Sequence, residues 1–378
     1  MNFLVITHVR HRRHNGKIYA YGPYVREMNL WFRHIDRAII VAPIEEAEPD
    51  PIDLPYEVKE LEFMSVPAFN LTTPTDILKT TLKLPAISLR ILRGMIQADH
   101  IHLRCPGNMG LLGSILQIAF PRTPKTAKYA GNWDPDSPQP WSYRLQRWIL
   151  SNTFLTRNTK VLVYGEWPNQ SGNIVSFFTA SYSENEIVDF TKLSFKIQNP
   201  NSKINLIFVG SLTPNKQPLL SIQAAERLHN EGYDIRLDLF GEGAERPRLE
   251  AYIEEKGLGE FVVLHGNRDA ETLKLFYQKA HFLIFVSKSE GWPKAVAEAM
   301  FWGCLPITSD VSCVNYMIGH GSRGQIAKPY VGEVVKKVKY YLENPDRFRR
   351  SSQEAMKWSR QFTLERFEKE MGSLMDGQ

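Results

Sequence analysis

Two glutamates, Glu290 and Glu298, bracket the segment Gly291-Trp292-Pro293-Lys294 and are the side chains here best placed to do chemistry. The apolar run Phe282 to Val286 predicts a buried parallel strand, Ser287 to Gly291 a tight turn, and Pro293 the first residue of a helix, where its missing N–H costs nothing. N–H groups at a helix N-terminus, with its partial positive charge, suit a diphosphate, and a loop carboxylate beside them accepts hydrogen bonds from hydroxyls. Eight helical residues turn about 80° past two full turns, so the two carboxylates line one space without sharing one ligand group. A pair at this spacing is otherwise two solvated charges. Lys294 shifts the balance, because a cation in the first helical turn opposes the helix dipole unless an anion sits there. The implied ligand is anionic and rich in hydroxyls.

With its flanks, this segment resembles the E-x7-E motif of retaining GT-B glycosyltransferases of the group 1, or family four, type, a large family that includes many bacterial enzymes of polysaccharide and glycolipid assembly. The likeness runs from about Ile204 to Pro329: Val209-Gly210-Ser211-Leu212 with Lys216 after it, then Phe240-Gly241-Glu242-Gly243, then Leu264-His265-Gly266-Asn267, then the glutamate loop. The resemblance implies an α/β GT-B fold of two doubly wound, Rossmann-like domains facing a central cleft. It implies a donor site built from Gly210, Ser211, Lys216, Gly241, Gly243, Gly266, Asn267, Glu290, Gly291, Trp292, Pro293, Lys294 and Glu298. In it Lys216 holds the donor diphosphate, one glutamate the sugar and the other the ribose, and Gly266 and Asn267 contact the base through their backbone. Two departures stand out. The family commonly has arginine where this chain has Ser211, a loss that Lys294 or a base from the first domain would offset. In Gly303-Cys304-Leu305-Pro306 the proline comes one position late.

In the first half, Lys128 to Asp134 lies at a strand end where many relatives place a histidine, and this chain has Ala130-Gly131. Asn132 and Asp134 are the candidate substitutes in catalysis. Trp133 is either a stacking surface for a sugar or a core aromatic. Arg104 and Gly22 are the further acceptor-side candidates, with Gly16 competing for the role of the glycine turn near the phosphates.

These residues need two scaffolds. A chain of 378 residues with 43% hydrophobic content supports two domains, each with its own core. Strands are expected at Phe3–Thr7, Ala38–Ala42, His100–Leu103, Ala127–Ala130 and Val161–Tyr164. Helices are expected at Tyr24–Arg33, Asp76–Gln97 with a break or kink at Pro85, Met109–Ile118 and Ser142–Phe154. The second half alternates similarly, with strands Leu206–Val209, Ile235–Phe240 and Val262–Leu264 ahead of the glutamate loop. The expected division is 1–190 for an acceptor-binding domain, 191–203 for a polar linker, 204–355 for the donor domain, and 356–378 for a helix packing on the first domain.

Three cysteines without metal-ligand spacing, no run long enough to span a membrane and charges close behind the first apolar stretch fit a reduced, cytoplasmic protein. Residues 1–200 hold 22 Lys and Arg against 18 Asp and Glu, concentrated in His8 to Lys17. That segment reads as a solvated basic loop, or as contact with anionic lipid on the inner membrane face or with a charged acceptor. No nucleic-acid-binding module accompanies it. The expected function is retaining, metal-independent transfer of a hexose-type sugar from a UDP- or GDP-linked donor to a glycan or lipid-linked acceptor. The rival readings are a nucleotide-sugar epimerase of the same fold, a metal site at Asp134-Pro135-Asp136, and a non-catalytic binding or scaffolding subunit.

Overall fold

The computed structural model describes residues 1–50, 52–68, 74–189 and 203–375. The chain divides into two units, Met1–Phe178 together with the chain from Phe367 on, and Thr179–Arg366. The linker expected at 191–203 lies, except for Lys203, outside the described residues.

The first unit runs β1 (Asn2–Ile6), β2 (His11–His14), β3 (Lys17–Tyr21), α1 (Gly22–Phe32), β4 (Arg37–Ala42), β5 (Ile44–Glu46), β6 (Asp53–Pro55), β7 (Glu60–Ser65), α2 (Pro74–Gln97), β8 (His100–Cys105), α3 (Asn108–Leu116), β9 (Lys125–Tyr129), α4 (Trp141–Ser151), β10 (Thr159–Tyr164) and β11 (Ile174–Phe177). Among the described residues the main sheet has the order β11-β10-β9-β8-β1-β4-β7, and its pairs are parallel, with Phe3 opposite Ala38 and His100. Central strands such as β1, buried from Phe3 to Ile6, are apolar on both faces because helices cover both sides. The helix break expected at Pro85 does not occur, and α2 continues to Gln97. A proline removes one backbone hydrogen bond, and Ile87, Ile91 and Met95, all in the core just beyond it, hold the helix in place.

The basic segment is also corrected. His8 to Lys17 is mostly a β-hairpin, turning at Asn15-Gly16 with both residues at positive φ, the geometry a two-residue hairpin turn demands. Two of its four cations are paired: Arg12 with Glu45 at 3.3 Å and Asp53 at 2.9 Å, and Arg13 with Glu46 at 3.2 Å. His11 is buried against Tyr56. Gly16 therefore serves the hairpin. Gly22 opens α1 where a Cβ would come 2.3 Å from the Ile52 carbonyl oxygen, so its smallness serves packing.

Burial lowers His11 and His100 to about 4, and places His102 well below the usual imidazole range. Their charged forms are disfavoured in the folded state. The unfolded chain therefore binds protons first, and stability present above pH 6.5 is lost as pH falls towards 4. For His11 and His100 together the loss between pH 6.5 and pH 5 is about 3 kcal/mol. Urea midpoints at pH 7, 6 and 5 should fall steeply over that range, and a flat series would contradict the assignment.

The second unit runs β12 (Ile204–Val209), α5 (Pro218–Asn230), β13 (Ile235–Phe240), α6 (Arg246–Lys256), β14 (Val262–Gly266), α7 (Ala270–Lys279), β15 (Phe282–Phe285), α8 (Lys294–Phe301), β16 (Leu305–Thr308), α9 (Val314–Met317), β17 (Gln325–Ile326), α10 (Val331–Leu342) and α11 (Pro345–Ser359). The terminal helix α12 (Leu364–Met375) starts here, capped by the Thr363 hydroxyl, which accepts from the Arg366 N–H at 3.3 Å. From Phe367 on it groups with the first unit, where Phe367 packs on Phe177. The parallel sheet has the order β14-β13-β12-β15-β16-β17. Strand order reverses between β12 and β15. In an open parallel sheet, ligands bind beyond the carboxyl ends of the strands at such a reversal, and there stand the loops after Val209 and after Phe285.

Candidate functional site

The two loops are tied together by backbone and side chain. The Lys288 N–H donates to the Asn215 carbonyl at 2.9 Å, the Asn215 amide to the Ser289 carbonyl at 3.0 Å, and the Gln217 amide to the Val286 carbonyl at 2.9 Å. Gln217, at φ 50, turns the chain into α5. Across this clasp the Lys216 ammonium sits 2.5 Å from Glu290 Oε1 and 4.8 Å from the Phe285 ring centre. The Lys216 side chain is 20% exposed and that of Glu290 8%, so the pair is screened from bulk water yet reachable.

Beside it the glycines form one cluster. Gly210 donates to Phe240, Gly241 to the Gly266 carbonyl at 2.9 Å, and Leu212 to the Glu242 carbonyl at 2.9 Å. A Cβ on Gly241 would lie 1.9 Å from the Gly210 carbonyl oxygen, and one on Gly243 2.4 Å from that of Leu212. Only glycine permits this close approach of three strand ends. Ser211 and Asn267 are exposed at the rim.

On its other side the glutamate loop is held by its carbonyl. Gly291 accepts from the Ser312 hydroxyl at 3.0 Å and from the Cys313 thiol at 3.3 Å. Burial pushes that thiol up to about 12, so it remains a protonated donor. Trp292 is buried, stacked on Trp358 and edge-on to Phe362. Pro293 is the cap of α8 and Lys294 its first residue, one position later than the sequence suggests.

Glu298 belongs to a small pocket with Ser181, Tyr182, Trp292, Lys294 and Phe362. Its two oxygens have separate donors: the Ser181 hydroxyl reaches Oε1 at 2.7 Å and the Tyr277 hydroxyl Oε2 at 3.3 Å. Burial, then the Glu298 charge, raises the Tyr277 phenol well above its ordinary value, so it stays a donor. Ser181 and Tyr277 escape sequence reasoning because they lie 117 and 21 positions from Glu298.

The remaining candidates lie in the first unit. Asn132 Oδ1 accepts from the Asp134 N–H at 3.0 Å and Asp134 Oδ1 from the Asp136 N–H at 2.9 Å, so both side chains shape the turn after β9. Trp133 is 1% exposed, in the core beside Tyr129, and hydrogen-bonded to Gln170. Of the two readings of Trp133, burial supports the core aromatic and not the stacking surface. Arg104 pairs with Glu27 and lies 5.3 Å from the Tyr24 ring centre.

Residues 189–358 match the family described as glycosyl transferases group 1. Within the whole chain, 120 residues are 34% identical to the UDP-N-acetylglucosamine–peptide N-acetylglucosaminyltransferase GtfA subunit of Limosilactobacillus reuteri, covering 32% of this chain and 23% of that protein. A 164-residue stretch is 26% identical to the poly(glycerol-phosphate) alpha-glucosyltransferase of Bacillus subtilis, covering 42% of this chain and 23% of that protein. The chain thus matches about a quarter of the length of these relatives. The solved Anabaena protein HepE, in complex with UDP and glucose, superposes with a TM-score of 0.68 over 99% of both chains at 14% identity. The fold is GT-B, with two Rossmann-like units.

Proposed function

We propose that the chain is a retaining glycosyltransferase that moves a hexose-type sugar from a nucleoside-diphosphate sugar to a carbohydrate or lipid-linked acceptor without a divalent ion. The observation that carries this is the Lys216–Glu290 pair, 2.5 Å apart at the strand-order reversal. One cation and one carboxylate there address adjacent parts of one ligand: Lys216 the diphosphate, Glu290 the hydroxyls of the first sugar. The glycine cluster lets the nucleotide approach backbone closely, and Glu298, held by Ser181 and Tyr277, accepts from the ribose. UDP is the nucleotide to test first, since HepE was solved with it and the GtfA subunit's name carries it.

In the proposed reaction the bond from the anomeric carbon to the β-phosphate oxygen breaks, and the electron pair leaves with the diphosphate. The acceptor hydroxyl bonds to the same face, and its proton passes to the departing phosphate oxygen. The protein's part is to position both reactants and to stabilise charge growing on the diphosphate, through Lys216 and the first-turn N–H groups of α8. Retention is supported by the name of the Bacillus subtilis relative, an alpha-glucosyltransferase. The test is NMR of the sugar first released from an α-linked UDP-sugar in the presence of chelator. An α-product is expected, and a β-product or full dependence on a divalent ion would refute the reading.

The same reading gives Ser181 a role. Removing a hydrogen bond to a charged group costs about 1.5 kcal/mol, or about tenfold in an equilibrium constant. Ser181→Ala should therefore raise the donor KM about tenfold with kcat within threefold, and Ser181→Thr should restore it. An unchanged KM would show that the serine does not orient Glu298.

A further inference from the structure

Between residues 83 and 160 the chain holds eleven Lys and Arg against three Asp and Glu, net +8 inside a chain whose total is +5. Apart from Arg104, Lys125 and Lys128, these cations are exposed or part-exposed. The stretch includes α3, α4 and most of α2. These helices cover one face of the first sheet, since Ile87, Ile91, Met109 and Leu150 share a single core with the strand residues Leu4 and Val161.

Their outward sides carry apolar residues with arginine between them. On α4, Trp141 and Trp148 are 62% and 59% exposed, two turns apart, and exposed Arg144 lies between them on that face. On α2, Leu89 and Ile96 repeat the spacing around exposed Arg93. Just past α4, Phe154 is 71% exposed with the Arg157 guanidinium 4.6 Å from its ring centre. Single exposed apolar residues are ordinary. The same apolar–arginine–apolar pattern on two helices of one layer is not scatter. Indole rings suit the boundary between headgroups and acyl chains, and arginine pairs with lipid phosphate while its stem lies on apolar surface.

We propose that the outward faces of α2 and α4 dock this chain on an anionic lipid bilayer, with Trp141, Trp148 and Phe154 entering the headgroup layer and Arg93, Arg144 and Arg157 meeting lipid phosphates. Net positive charge selects an anionic surface, and the apolar tips select a bilayer over a soluble polyanion. This surface, and not the hairpin at His8 to Lys17, is the membrane contact. The proposal does not depend on the donor-site reading.

Co-sedimentation of the whole chain with phosphatidylcholine vesicles, with and without phosphatidylglycerol, tests it. Wild type should bind the anionic vesicles at least tenfold more tightly than the neutral ones. Trp141→Ser with Trp148→Ser, and separately Arg144→Glu with Arg157→Glu, should each weaken binding at least tenfold at an unchanged melting temperature, because all four side chains are exposed. Failure of wild type to bind, or binding unaffected by the tryptophan changes, would overturn the proposal. So would a wild-type dimer in sedimentation velocity that the tryptophan changes convert to monomer, since the face would then join two copies of the chain.

Discussion

Lys216→Ala is expected to lower kcat by about 10²–10³, the usual cost of removing one preorganised group that stabilises charge in a transition state. On the proposed reading the substitution removes the cation that meets the leaving diphosphate, and it leaves Glu290, 8% exposed, with an uncompensated negative charge beside the same ligand. Two effects then act in one direction: less stabilisation of the product diphosphate and added repulsion of the donor. Lys216→Arg keeps the charge but brings a planar fork to a place shaped for a compact ammonium, so it should recover only part of the loss. Single-turnover kinetics with the far-UV circular dichroism spectrum as control checks this, and a kcat within threefold of wild type would remove Lys216 from the mechanism.

The largest effect on stability is expected at Glu27. Its carboxylate on α1 pairs with Arg104 and, through Oε2 at 3.0 Å, with the ammonium of Lys128, whose side chain is fully buried. Lys128 also lies among the rings of Tyr164, Phe177 and Phe367, the last 4.9 Å away on the terminal helix. Removing one partner from a buried ionic cluster costs about 3–5 kcal/mol, because the remaining charges lose their compensation without regaining water. Glu27→Gln should cost nearly as much, since the lost quantity is charge and not shape. Urea unfolding of Glu27→Ala and Glu27→Gln would show it, and a change under about 1 kcal/mol would mean that Arg104 and Lys128 are satisfied without this carboxylate.

How far such features can be read from the chain differs between the units. In the second unit the central strands are largely buried on both faces and appear as apolar runs, and Gly210, Gly241 and Gly266 mark the ends of β12, β13 and β14. The site was legible as an order of such loops. Its tightest contact, Lys216 to Glu290, follows from the strand order, which no local pattern encodes. In the first unit the charged strand His11–His14 looks like loop, since its side chains are paired outward to Glu45, Glu46 and Asp53. The Asn15-Gly16 dipeptide was the available signal for a hairpin. Burial of Trp133 and the partners of Glu298 depend on contacts across long sequence separation, and composition carries no trace of them.

On the proposed reading the Lys216–Glu290 pair forms the binding site for a nucleoside-diphosphate sugar. Calorimetric titration of UDP and of UDP-sugars, with chelator present, into wild type, Lys216→Ala and Glu290→Ala tests it most directly. The predicted result is metal-free binding of UDP that weakens at least tenfold with the lysine change, and an added affinity for the UDP-sugar that vanishes with the glutamate change. Binding of neither UDP nor any other nucleoside diphosphate, or binding indifferent to both substitutions, would contradict the claim.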